Sequence, residues 1–396
     1  MKILVINSGS SSIKFQLLHL PEETLLCKGM ADRIGVNNSQ LEYKTQAAQI
    51  KETLALNNHQ QGLQKIAELL LDPKVGVIQD KSEIAVVGHR VVQGGSLFAE
   101  TTLINDRVKQ EIQAFADLAP LHNPPNYAGI VVAEQLFPEA QQVAVFDTAF
   151  HQSIPEVANQ YALPKKLYTE HGIQVYGFHG VSHQYVSQQA IQYLGLKQSK
   201  IITLHLGNGC SMTAVKDGQS IDHSMGFTPT NGLIMGSRSG DIDQGIIFHL
   251  VDKLGYTLDE VNNLINKQSG LLGLTGHRDL RDIEALAAEG DRDCLLAIEM
   301  SAYRIKKYIG AYTAAMNGLD AIVFTAGIGE NSQLMRASVC TDMDYYGIEL
   351  DQDKNQQKSE GVQEISSGTS AVKVLVIPTK EELEIAKQAY ALIYND

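Results

Sequence analysis

Along the chain, compact apolar runs alternate with longer stretches in which an apolar residue returns every third or fourth position. Lys2–Ile6, Ile84–Val87, Gln142–Phe146, Ile201–Leu206, Ala321–Thr325 and Val372–Ile377 are short and dominated by apolar residues, as buried strands are. Gln61–Leu71, Val108–Leu118, Ser182–Leu194, Leu258–Asn266, Cys294–Met316 and Glu381–Ile393 carry the helical period. Alternation of this kind predicts an α/β fold with helices packed on mixed or parallel sheets. Residues 354–369 are polar, with glycine and serine, and read as a surface loop.

One pattern occurs twice. VINSGSSSIKF near the start and LHLGNGCSMTA near the middle share a plan: an apolar strand, a glycine turn rich in small polar residues, and a second strand. Gly9 and Gly207 lie half a chain length apart, which favours two copies of one domain. The alternative is that an α/β chain simply carries several glycine turns after strands. A third glycine turn, FTAGIGENS (Phe324 to Ser332), follows another strand, and the boundary between the halves is expected near Asp147–Ser153. The last helix, after Pro378, is free to pack on either half.

Composition narrows the classes of function. At 396 residues the chain is long enough for two domains. A net charge of −13 disfavours nucleic-acid binding. The cysteines, Cys27, Cys210, Cys294 and Cys340, are scattered without ligand-like spacing, so neither a disulfide framework nor a zinc site is suggested. No run approaches the ~18 apolar residues of a membrane span, and no signal-peptide core is present. A reducing, cytoplasmic setting is the expectation.

The glycine turns are neither P-loops nor G-x-G-x-x-G fingerprints. They still offer backbone N–H groups and the polar side chains of Asn7, Ser8, Ser10, Ser12 and Asn208 to phosphate oxygens. Arg90 in VVGHRVVQGG and Arg238 in MGSRSGDID stand among small residues, placed either to fork onto a carboxylate or phosphate or to form ordinary salt bridges. Asp147 ends an apolar strand at the edge where α/β sheets place ligands, or caps the next turn. Glu381 reads locally as part of a helix N-terminus, with Thr379 and Glu382 as a capping box. His179 and His183 are four apart, but Gly180 weakens a helix there and Ser182 reads as its N-cap. A zinc pair is therefore disfavoured, and His179 is left in a turn as a hydrogen-bond donor. His122 and His205 are similar loop-edge candidates.

Taken in order, NSGSSSIK, PLHNPPN, VFDTAFH, YGFHGVSHQYV, HLGNG, GSRSGDID, AGIGENS and IPTKEEL resemble the acetate kinase family from the first residue to the last helix. That family belongs to the actin-like superfamily of sugar kinases and chaperone ATPases. The resemblance implies a duplicated ribonuclease-H-like fold with a central nucleotide cleft. The implied domains are 1–149 with 380–396, and 150–379, the second carrying nucleotide and dimer contacts.

The implied reaction is reversible in-line transfer of the ATP γ-phosphate to acetate, giving acetyl phosphate and ADP, with Mg²⁺ or Mn²⁺, in a homodimer. By motif, Arg90, Asp147, His179 and Arg238 would be catalytic, Arg90 and Arg238 holding the acetate carboxylate and the transferring group. Asn7 and Glu381 would lie at the metal. Val92, Leu121, Phe178 and Pro229 would enclose the methyl group, with His122 at the substrate side. Ser10, Ser12, Lys14, His205, Leu206, Gly207, Asn208 and Gly209 would line the phosphates. Asp279, Leu280, Arg281, Gly327, Ile328, Gly329, Glu330 and Asn331 would hold the adenosine. Lys380 stands where the family usually has asparagine, Thr230-Asn231 replaces a commoner Leu-Glu, and TGHRDLRD departs from a serine-rich loop. The alternatives are a propionate kinase of the same family and a non-catalytic actin-like ATPase module.

Overall fold

The computed structural model describes residues 1–358 and 360–394. Ser359, Asn395 and Asp396 lie outside the described residues, so the expected loop and the expected end of the first domain are each described only in part. The chain divides into two compact units, Met1–Ala149 with Lys380–Asp396, and Phe150–Thr379.

In the first unit β1 (Lys2–Ser8), β2 (Ser12–His19), β3 (Thr24–Asp32), β4 (Ser39–Thr45) and β5 (Gln49–Leu54) form an antiparallel meander. β6 (Ile84–Val91) joins β1 in parallel and β8 (Gln141–Phe146) joins β6 in parallel, while β7 (Thr102–Leu103) closes the far edge. The order is β5-β4-β3-β2-β1-β6-β8-β7. β1 is covered on both faces, so Ile3, Leu4, Val5 and Ile6 are all buried and the strand is a continuous apolar run. Phe15, Leu17, Leu41 and Tyr43 pack with Leu63, Ile66 and Leu70 of the helix His59–Leu71 in one core. The helix Asn123–Leu136 starts on Pro124 and Pro125, first-turn positions where a missing N–H breaks no intrahelical bond. The last helix, Glu381–Tyr394, lies so close to β6 that a Cβ at Gly88 would come 3.0 Å from Ile385.

In the second unit β9 (Lys200–Leu206), β10 (Cys210–Lys216) and β11 (Gln219–His223) are antiparallel, and β12 (Ala321–Thr325) and β14 (Lys373–Val376) add in parallel beside β9. With β13 (Gln363–Glu364) on the edge, the order is β11-β10-β9-β12-β14-β13. Thus β11-β10-β9-β12-β14 repeats β3-β2-β1-β6-β8 in order and direction. The echo between the two glycine turns reflects a repeated fold.

Three local expectations are corrected. FTAGIGENS is not a turn: the helix Ala326–Asn331 starts directly after β12, with Ala326 in the left-handed region at φ 63°. Ser182 is not an N-cap, because the helix Gly180–Leu194 begins earlier and His179, at φ 56°, occupies the cap position. The 354–369 stretch is not all loop, since it includes the end of the helix Gln352–Gln356 and β13. Among the described residues no helix is long and apolar enough to cross a membrane.

Candidate functional site

The first glycine turn is a tight hairpin joining β1 and β2, closed by Gly9 N donating to the Ser12 carbonyl at 2.8 Å. Its carbonyls are tied back: Asn126 Nδ2 donates to Ser8 O at 2.7 Å, and His59 Nε2 donates to Gly9 O at 2.6 Å. Ser10 and Lys14 remain exposed and Ser12 partly so, leaving their polar groups outward. Asn126 Oδ1 also accepts from Val92 N, and Asn123 bridges Gln93 N, Gln93 O and Ile112 O. The two asparagines of PLHNPPN therefore fix both the hairpin and the segment that carries Val92. Neither had been picked out as functional; their only signal was two asparagines in a proline-rich motif.

The parallel strands set Asn7, Arg90 and Asp147 at one end of the sheet, since Ile6 pairs with His89, Arg90 with Val145 and Val91 with Phe146. Arg90 forks onto Asp147, with Nε–Oδ1 at 3.1 Å and a short Nη2–Oδ2 contact, and Nε lies 3.7 Å from Glu381 Oε2. Burial works against the guanidinium charge, but Asp147 and Glu381 outweigh it and raise the Arg90 pKa. Glu382, half-buried beside Glu381, has its pKa raised chiefly by desolvation. Among the described residues no three His, Cys, Asp or Glu side chains form a self-sufficient metal cage. Mg²⁺ asks for less, usually one or two carboxylates together with substrate phosphates and water. The hard oxygen donors of Asn7, Asp147 and Glu381 fit a cation held with a polyphosphate.

In the second unit, a Cβ built on Gly209 would lie 3.5 Å from His179 Cε1 and Nε2 and 3.7 Å from Arg238 Nη1. A histidine edge, a guanidinium and a backbone turn thus converge. His179 Nδ1 meets Ser211 Oγ at 2.8 Å, and its ring stacks on His205 at 4.2 Å. Arg238 is largely buried, which lowers its pKa; Nη1 donates to Pro229 O at 3.1 Å, and no carboxylate of this unit pairs with it among the described residues. A half-buried guanidinium without a carboxylate from its own unit is a place for an anionic ligand. Its loop is pinned by Asp241, which accepts from Gly232 N at 2.7 Å and from Tyr308 OH at 2.7 Å, while Arg304 donates to Gly232 O at 2.9 Å. Gly232 and Gly240 both sit at positive φ where this loop closes on itself.

A cavity of about 810 Å³ in the same unit is lined by Gly207, Asn208, Asp279, Leu280, Arg281, Gly327, Ile328 and Asn331, with Arg278, Glu284, Ser332 and Lys358 in addition. Most of the residues expected around the nucleotide base and sugar are therefore brought together. Gly329 and Glu330 do not line it. Gly329 packs on the Phe324 backbone, and Glu330 Oε1 accepts from Thr379 N at 3.1 Å. Among the described residues Thr379 Oγ1 has no hydrogen-bond partner, so the expected capping box is not formed. Arg281 points mostly to solvent, paired with Asp279. Arg336, buried, donates to Gly329 O and Glu330 O and so holds the Ala326–Asn331 helix; sequence reading missed it.

Of the residues expected around a methyl group, Val92 and Phe178 are buried, Pro229 is partly covered, and Leu121 is 59% exposed. Val92 and Leu121 belong to the first unit, Phe178 and Pro229 to the second. Phe178 is fixed through its backbone, N donating to His223 Nε2 and O accepting from His151 Nε2, both at 3.0 Å. His122 is the N-cap residue of the helix Asn123–Leu136.

One five-strand plan used twice, with a donor-rich hairpin between the first two strands of each copy, defines a duplicated α/β fold. The Acetokinase family matches residues 2–387. The chain is 61% identical to the acetate kinase of Flavobacterium johnsoniae over 100% of both chains, and 50% identical to that of Thermotoga maritima over 99% of both. Among solved structures it resembles Porphyromonas gingivalis acetate kinase, at a TM-score of 0.93 and 43% identity over 99% of each chain. It also resembles a propionate kinase from Francisella tularensis, at 0.92 and 43% over 98% of each. The chain belongs to the acetokinase family.

Proposed function

We propose that this protein transfers the γ-phosphoryl group of ATP to acetate, reversibly, giving acetyl phosphate and ADP, with Mg²⁺ or Mn²⁺. The observation that carries the reading is the 61% identity to an acetate kinase over the full length of both chains. Acetate is already ionised near neutral pH, so its attack needs no strong base; the obstacle is bringing two anions together in line. Arg90 and Arg238 hold the carboxylate and the transferring group, Arg238 being a half-buried cation without a carboxylate of its own unit. His179 donates a hydrogen bond to the equatorial oxygens as charge builds. Asn7, Asp147 and Glu381 would hold the cation, directly or through water, and when bound it would supply positive charge against that of the phosphates. Ser10, Ser12, Lys14, His205 and residues 206–209 line the phosphate path. The 810 Å³ cavity takes the nucleoside, and Val92, Leu121, Phe178 and Pro229 face the methyl group, with His122 on the substrate side.

The protein acts in the cytoplasm as a homodimer built on its second unit. Phe248, Leu254 and Leu258, and Leu295, Leu296 and Tyr303 on the helix Arg292–Met316, all expose apolar surface there. A second reading, transfer to propionate, is favoured by the likeness to the Francisella tularensis propionate kinase. One methylene in an apolar pocket is worth only ~1–3 kcal/mol. The deciding experiment measures kcat/KM for acetate, propionate and butyrate with Mg-ATP, trapping acyl phosphate with hydroxylamine. A preference for acetate of roughly tenfold or more supports the first reading. Equal use of propionate supports the second, and no acyl phosphate from any of the three overturns both.

A further inference from the structure

Behind His179 runs a line of side chains that the transfer reaction does not itself require. Ser211 Oγ lies 2.8 Å from His179 Nδ1 and 2.7 Å from His183 Nε2, and His183 Nδ1 lies 2.7 Å from Thr203 Oγ1. Ser211, His183 and Thr203 are completely buried. We propose that Thr203, His183 and Ser211 form a positioning relay that keeps the neutral His179 ring protonated on Nε2, the nitrogen facing Gly209 and Arg238. The inference rests on the proposed role of His179 as a donor to the transferring group.

Hydrogen inventory gives the relay its direction. Burial, followed by the nearby His151 and His205, holds His183 well below the ordinary imidazole range, so it is neutral with one donor and one acceptor nitrogen. Two arrangements then satisfy Ser211. In one, Thr203 donates to His183 Nδ1, His183 Nε2 donates to Ser211, and Ser211 donates to His179 Nδ1. In the other every bond is reversed, and a neutral His179 presents a lone pair at Nε2. Thr203 decides between them. His183 Nδ1 is its hydroxyl's one hydrogen-bond partner among the described residues, so the reversed arrangement would bury that O–H unsatisfied, the costlier of the two.

Only the first arrangement lets His179 donate without becoming an imidazolium. Within the second unit, the groups facing it are unfavourable to a second positive charge: His205 stacked at 4.2 Å, His183 on its own helix, His223 on β11, and Arg238 across Gly209. His179 also holds a left-handed backbone at φ 56°, which a non-glycine residue keeps only where its surroundings fix it. The Ser211 contact supplies such a constraint.

The test reads the tautomer directly, by long-range ¹H–¹⁵N correlation on the full-length protein labelled at histidine, with His179 assigned through His179→Asn. A neutral ring bearing its proton on Nε2 is expected, with Nδ1 unprotonated. Thr203→Val removes the hydroxyl that decides between the two arrangements, so the Nδ1 tautomer should appear beside the Nε2 tautomer, with kcat lowered severalfold, KM for acetate little changed and a partial loss of rate at high pH. Thr203→Ser should restore all three. Wild-type His179 protonated on Nδ1, or unchanged spectra and kcat in Thr203→Val, would overturn the relay. The wild-type tautomer is read without either Thr203 variant, needing only His179→Asn for the assignment. It also stands apart from the hydroxylamine assay, so a chain that makes no acyl phosphate refutes the activity while the tautomer is still read.

Discussion

Replacing Arg90 by alanine separates what this arginine does for the fold from what it does for the reaction. Arg90 and Asp147 are 16% and 2% exposed, so truncation removes the guanidinium that forks onto a buried carboxylate. Removing one partner of a buried ion pair costs about 3–5 kcal/mol. At about 2–4 °C per kcal/mol for a unit of this size, the melting transition of the first unit should fall by on the order of 6–20 °C. Arg90→Ala/Asp147→Asn removes the carboxylate charge as well and should recover roughly half of that loss, because an amide is far cheaper to bury than a carboxylate that has lost its guanidinium. Turnover should behave differently. Loss of a donor that stabilises transferring charge costs ~10²–10³ in kcat, and the double variant should stay at that low level. Calorimetry and the hydroxylamine assay on the same samples decide the matter. A melting temperature unchanged in Arg90→Ala would refute the stability argument, and a double variant with restored turnover would show that Arg90 serves only the fold.

Gly209→Ala should leave the melting temperature unchanged, since its Cβ would meet His179 and Arg238 at 3.5 to 3.7 Å, ordinary contact, yet the methyl group occupies the proposed phosphoryl path and should depress kcat/KM by roughly a hundredfold. Burial lowers His89 and His151 to about 4, so the unfolded chain takes up protons near pH 6.5 and the folded chain does not. Stability is intact above pH 6.5 and should decline towards pH 4 by about 3 kcal/mol per ring; a flat profile between pH 7.5 and 4.5 in calorimetry contradicts this. Val92→Ala should shift kcat/KM towards propionate by roughly tenfold or more, and an unchanged ratio would remove Val92 from the pocket. Phe248→Glu with Tyr303→Glu should yield monomers in sedimentation if the exposed apolar helices of the second unit pair; a dimer that persists places the interface elsewhere.

Every strand expected from the apolar runs is present, because each is covered on both faces and so carries an unbroken apolar stretch. β4 and β5 escaped notice for the opposite reason. LEYKT and IKETL spread charged residues between their apolar ones, and β5 buries none of its residues. The helix Asn123–Leu136 was hidden by two prolines that punctuate a sequence but suit a first turn. Arg90, Asp147, His179 and Arg238 stood out because their chemistry can be named from residue type and a glycine-rich setting. Asn123, Asn126, Asp241 and Arg336 did not, since their work is to satisfy backbone groups from distant segments. A sequence does not show which buried N–H or carbonyl will need a partner until the chain has folded.

The duplicated sheet explains why one plan serves two kinds of chemistry. In the first unit the parallel strands β1 and β6 carry Asn7 and Arg90 in their last two residues, and Asp147 follows β8 directly, an arrangement of charge and amide. The equivalent strands of the second unit, β9, β12 and β14, end on Leu206, Thr325 and Val376, with no charged side chain among them. Gly207, directly after β9, lines the cavity, and His151, His183 and His223 form a buried histidine network in the same unit. The same strand ends can diverge because the pairing is set by backbone and by apolar faces, which both copies keep. Residues beyond the last pair are left outside the core and are free to change. The repeated fold therefore constrains where the site is placed in each unit, while the chemistry at each strand end was set separately.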